Sequence, residues 1–168
     1  MRITKIFLLL IMTTAVIYDI RNYAIPNSLI LLGYLLACLL RLREGPAGAG
    51  AFLAGALLPI ACLILLQRAG ILGGGDIKLM SVAGGFLGAE KAVSCILLSF
   101  FFGAALSLFS LIGRRNGRAR IRFFLNYIQT VVHTGTFTPY YKPSRDGYDG
   151  AVHFSIAVMA AVMLLLWL

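Results

Sequence analysis

Six apolar runs parted by short polar turns dominate the chain and fix the medium in which it can fold. They cover residues 3–18, 28–40, 47–66, 77–89, 92–112 and 151–168, and among Asp, Glu, Lys and Arg only Lys5 and Lys78 fall inside them. A helix needs about 20 residues to cross a bilayer, so six crossings use nearly the whole length. The 168 residues are 60% hydrophobic and 12% charged, with a mean hydropathy of +0.91. Soluble domains carry about twice that share of charge. The expectation is an all-α, polytopic membrane helix bundle of about six transmembrane helices, folded as one membrane-embedded domain over 1–168. The polar stretch 113–149 is its one long loop.

Local features refine this picture. The N-terminal "MRITKIFLLL" resembles a secretory signal, but it lacks a small-x-small cleavage site, so it reads as a retained first helix. Pro26 in "DIRNYAIPN" breaks the chain ahead of the second run, with Asn27 or Ser28 expected to cap the helix that follows. Ala47, Ala51 and Gly55 would form a small-residue face on the third helix, for close contact with a neighbour, and Pro59 would kink that helix. The fourth run is short and carries Gly84 and Gly88 in a GxxxG pattern. Such a span is tolerated where other helices enclose it. Cys38, Cys62 and Cys95 are far apart inside apolar runs and read as packing residues, with no zinc or disulfide spacing.

The net charge of +9 would point to nucleic acid in a soluble protein. In a membrane protein, basic residues hold loops in the cytoplasm, so no nucleic-acid partner is expected. With six crossings, Arg21, Arg68, Lys78, Arg114, Arg115, Arg118, Arg120, Arg122, Lys142 and Arg145 share one side. Arg2, Lys5, Arg41, Arg43 and Lys91 share the other. The excess puts Asp19, just after the first helix, and Asp76, just before the fourth, at the cytoplasmic face. The arginines of "RRNGRARIRFF" would meet anionic lipid, and "FFLNYIQTVV" could lie on the surface as an amphipathic helix.

Six acidic residues are present. Glu44 and Glu90 fall in outer turns, and Asp146 and Asp149 in the polar approach to the last helix. Only Asp19 and Asp76 abut apolar runs at one depth, where a carboxylate is costly and marks function. Two carboxylates brought together in a low dielectric share a proton. The ionised one can then activate water while the protonated one polarises a carbonyl, which is peptide hydrolysis with no metal or cofactor. Gly73, Gly74 and Gly75 precede Asp76 and would give the backbone unusual conformations and let a substrate strand lie close. Asp76 is expected at or near the helix N-cap. Lys78, two positions on, would point away from Asp76. His133 and His153 show no metal spacing, and His153 reads as an ordinary residue at the start of the last helix.

"YDIRNYAIPN" and "GGGDIKLM" together resemble the prepilin peptidases, the GxGD membrane aspartyl proteases of type IV pilus systems. The matching residues are Asp19, Ile25-Pro26-Asn27 and Gly73-Gly74-Gly75-Asp76-Ile77-Lys78-Leu79. The resemblance implies catalysis by Asp19 and Asp76. It makes Gly73, Gly74, Gly75, Lys78, Pro26 and Asn27 candidates for substrate contact. It also implies a pilin-like precursor as partner, cut at the cytoplasmic face of the bacterial plasma membrane. Larger relatives add a segment with paired CxxC motifs and an N-methyltransferase role. This chain has neither, resembles the compact peptidase-only kind of tight-adherence (Flp-type) systems, and is not expected to methylate. Relatives often open the last helix with a proline-containing stretch. Here "VHFSIAV" stands instead, so nothing carries over to that helix.

One rival reading comes from another class, a non-enzymatic transporter or assembly subunit using Asp19 and Asp76 as a cation or proton site. Transport carboxylates lie near mid-membrane, whereas these lie at helix ends. Presenilin-type enzymes share Y-D and G-x-G-D but are larger and fit the I-P-N and x-K-L elements less well.

Overall fold

The computed structural model describes residues 2–113 and 153–168. The loop expected at 113–149, with His133, Asp146, Asp149 and the proposed surface helix, lies outside the described residues apart from Gly113. The helices are α1 (Arg2–Asn22), α2 (Asn27–Leu42), α3 (Pro46–Arg68), α4 (Gly74–Leu87), α5 (Ala89–Gly113) and α6 (Phe154–Trp167). No strand occurs among the described residues. The fold is a helical membrane bundle.

Among the described residues, three helices are long and apolar enough to cross a membrane: Ile3–Asn22, Pro46–Arg68 and Ala89–Ser110. At 1.5 Å per residue, α2, α4 and α6 rise only about 21–24 Å, short of a ~30 Å hydrocarbon core. Leu31, Leu57, Leu97, Phe101 and Phe109 point outward and are exposed. An apolar surface on that scale needs lipid rather than water against it.

The short α4 is the axis of the bundle and packs against each of the other five described helices. Ile77 and every residue from Leu79 to Phe86 are buried. It starts from extended Gly73 (φ −68°, ψ 138°) and stops at Gly88, whose φ of 88° suits glycine. The GxxxG pattern acts through Gly84, whose partner is Gly55 on α3; a Cβ on either would overlap the other's carbonyl. That absence of side chains lets α3 and α4 approach backbone to backbone. The buried side of α3 runs through Gly48, Gly55, Ala56, Pro59 and Leu63. Only Gly55 of the expected Ala47-Ala51-Gly55 face is fully buried, and Ala47 is exposed. Pro59 lies inside α3 without ending it.

Polar groups inside the bundle are paired, as a low-dielectric interior demands. Ser81 on α4 donates to the Ala56 carbonyl on α3 and accepts from Tyr34 of α2 at 2.7 Å. Cations close two of the short helices at one end of the bundle. Arg41 donates through Nε and Nη2 to the Phe86 carbonyl (3.1 and 2.8 Å) and pairs with Glu44. Lys5 donates to the Leu166 carbonyl at 2.7 Å. Helix C-termini leave carbonyls unpaired and carry partial negative charge, so these contacts satisfy both needs. Asp19 and Asp76 occupy the other end.

Candidate functional site

At that other end, a cavity of about 290 Å³ is lined by the end of α1, the turn into α2 and the start of α4. Both carboxylates stand on its wall, with Tyr23, Asn27, Lys78 and Gly73 to Gly75. Both residues are helical: α1 continues past Tyr18 to Asn22, and α4 begins at Gly74. Asp19 therefore sits in the last turn of one helix and Asp76 in the first turn of the other, rather than in the flanking loops. The Asp76 side chain caps nothing. The N-cap position belongs to Gly73, and Asp76 donates its own backbone N–H to the Gly73 carbonyl at 3.1 Å.

The glycines serve differently from expectation. None of Gly73, Gly74 and Gly75 has a positive φ. What they supply is room. A Cβ on Gly73 would stand 2.8 Å from Asp76 Oδ2, and one on Gly74 would stand 2.7 Å from Gln67 Nε2. At Gly75 a Cβ would meet only Ile25, at an ordinary 3.7 Å.

The I-P-N turn reaches the cavity through Ile25 and Asn27. Pro26 occupies the N-cap position of α2, and its carbonyl accepts from Leu29 (3.1 Å) and Ile30 (3.4 Å). Asn27 is the first residue of α2 and makes no side-chain cap. Its Oδ1 instead accepts from Lys78 Nζ at 2.9 Å. Lys78, expected to point away, reaches the cavity because its long side chain crosses to Asn27 on the facing helix.

Sequence reasoning missed the neighbours of Asp19. Ser155 donates to Asp19 Oδ2 at 2.6 Å, and His153 Nδ1 lies 3.3 Å from the same oxygen. The His153 ring stacks on Tyr23, with centroids 4.7 Å apart. Tyr23 itself has a φ of 51°, a region costly for a bulky residue and commonest at functional sites. Nothing between positions 19 and 153 in the sequence announces these contacts.

Asp76 precedes the apolar run that begins at Ile77. Burial first, and the charge of Asp19 second, push its carboxyl from the ordinary range up to about 7. The cavity wall thus carries one carboxyl that resists ionising and a second, Asp19, held through Oδ2 by side-chain contacts. Among the described residues, no three His, Cys, Asp or Glu side chains are grouped to hold a metal ion.

The architecture and this wall define a class, a helical membrane protein with an acidic cavity at one end of its bundle. The model of the type IV leader peptidase family matches residues 6–108, which contain both aspartates, and the chain belongs to that family. No curated protein and no solved structure matches it significantly. Family membership assigns a peptidase and fits a protein substrate.

Proposed function

We propose that the chain is a membrane aspartyl endopeptidase, removing the basic leader from prepilin-like precursors at the cytoplasmic face of the bacterial plasma membrane. The observation that carries this reading is the joint presence of Asp19 and Asp76 on one cavity wall. In the family reading, the apolar part of the precursor stays in lipid, and its leader junction enters the cavity beside Gly73 to Gly75.

Asp19 is the base in this mechanism. It takes a proton from a water molecule, whose oxygen bonds to the scissile carbonyl carbon. Asp76, still protonated, hydrogen-bonds the carbonyl oxygen and transfers its proton as the tetrahedral intermediate forms. The intermediate then collapses. Asp76 recovers its proton, the C–N bond breaks, and the proton held by Asp19 passes to the departing amine. No proton is gained or lost overall. The excess of basic residues expected on the aspartate side from the sequence, with six crossings, supports a cytoplasmic site. The position of both carboxylates at helix ends favours hydrolysis over the transporter reading, since transport sites lie near mid-membrane.

Co-expression with a pilin-like precursor tests the proposal. Wild-type protein is expected to shorten the precursor, while Asp19→Asn and Asp76→Asn accumulate in the membrane and leave it intact. A precursor shortened equally by either variant would defeat the assignment.

A further inference from the structure

The start of α6 lies outside the family-matched region 6–108, yet it reaches Asp19 on the cavity wall, and both of its polar contacts there fall on one atom. Asp19 Oδ2 receives the Ser155 hydroxyl at 2.6 Å and faces His153 Nδ1 at 3.3 Å. No hydrogen bond to Oδ1 occurs among the described residues. Ser155 is fully buried, so its hydroxyl needs a partner there, and a charged acceptor makes the strongest one. His153 precedes the first residue of α6 and makes no side-chain cap to its own helix. The Tyr23 ring lies against its face, which fixes the plane in which Nδ1 meets the carboxyl. The other end of the same helix pair is also tied, by Lys5 on the Leu166 carbonyl. α6 is therefore fastened to α1 at both ends.

We propose that Ser155 and His153 are positioning residues, a two-donor clamp that holds Asp19 Oδ2 and leaves Oδ1 to face the cavity. This rests on the proposed peptidase mechanism, in which Asp19 is the base. Nδ1 must carry the imidazole hydrogen for its contact to be a hydrogen bond. The clamp fixes which carboxylate oxygen takes the proton from water. It also keeps the carboxyl from rotating away when the cavity is occupied. It gives the departure of "VHFSIAV" from the family's usual opening of the last helix a function: here the helix reaches the site by side-chain donors.

The test uses the full-length protein in lipid nanodiscs, with a synthetic precursor peptide and infrared spectra of the carboxylates. Asp19 is identified by the band lost in Asp19→Asn. Ser155→Ala and His153→Phe, which keeps the ring for Tyr23, are each expected to lower kcat about tenfold, with KM changed less than twofold. Each should also shift the Asp19 carboxylate stretch. Ser155→Thr and His153→Asn, which restore a donor, should recover both readouts. If Ser155→Ala and His153→Phe lower only the thermal stability, leaving kcat and the Asp19 band unchanged, the residues merely pack α6 and the clamp is overturned. If the wild type cleaves no precursor yet the Asp19 band shifts and is rescued as described, the clamp geometry stands and the peptidase reading falls. An unshifted band in a cleaving enzyme overturns the clamp alone.

Discussion

Ser155 Oγ lies 2.6 Å from Asp19 Oδ2, joining the first and last helices of the bundle across 136 positions of chain. The contact puts a side chain of α6 on a carboxylate that α1 presents to the cavity, and α4 supplies the second carboxylate. Three helix ends thus meet around Asp19 and the cavity wall. α4 has little freedom to move, because every other described helix packs on it.

Room beside Asp76 should separate two glycines that look equivalent in sequence. Gly73→Ala places a methyl against Asp76 Oδ2 and should displace the carboxyl, lowering kcat at least tenfold. Gly75→Ala meets only Ile25 at van der Waals distance. It should leave folding intact and raise KM, because its methyl stands on the cavity wall. Steady-state kinetics on the two variants checks this, and a KM effect from Gly73→Ala with kcat untouched would refute the steric argument.

Close approach of α3 and α4 predicts a sharp stability contrast. Gly84→Val must push the Gly55 backbone away, and overpacking of this kind costs about 1–3 kcal/mol or more. Gly50→Ala, on the same α3, has nothing within 4 Å of the added carbon and should leave stability unchanged or slightly raised. Thermal unfolding in detergent is expected to show a lower midpoint for Gly84→Val alone. Equal midpoints for the two variants would mean the helices are not in backbone contact.

A proton held by Asp76 predicts how stability depends on pH. The folded carboxyl titrates near 7 against 3.8 for the free group, so between those values the unfolded chain ionises first. Native stability should therefore decline as pH rises from about 4 to 7, and level off above. Asp76→Asn removes that slope. The charged and titratable groups facing Asp76 across the cavity are Asp19, Lys78 and Tyr23; all remain in the variant, so the difference between the two curves reports Asp76. Unfolding midpoints measured across that range check it, and a constant gap between wild type and variant would contradict the raised titration.

Much of this was legible in the sequence because the bilayer imposes a strong pattern. Long apolar runs had to become helices, since lipid offers no partner for a free backbone amide. A helix forms on each of the six runs, with α4 stopping at Leu87 and α6 starting at Phe154. Asp19 and Asp76 stood out because a carboxylate beside an apolar run is expensive. Boundaries were less legible. α1 extends to Asn22 and α4 begins at Gly74 because polar residues can continue a helix where it emerges from the apolar layer. The face of α3 was misjudged: several small residues offer alternative stripes, and the true one was set by the partner, Gly84. His153 and Ser155 were illegible for a different reason. A serine in an apolar helix and a histidine before it carry no periodic signal, and only the fold brings them to Asp19. Tyr23 likewise shows its strained backbone only in three dimensions.

The central claim is that Asp19 and Asp76 act as one unit, and a double-mutant cycle on precursor cleavage measures that directly. Residues that share one chemical step are grossly non-additive. Asp19→Asn, Asp76→Asn and the double variant, each purified in folded form, should fall to the same residual rate. Losses that multiply in the double variant, or a single variant that still cleaves at the wild-type rate, would contradict it.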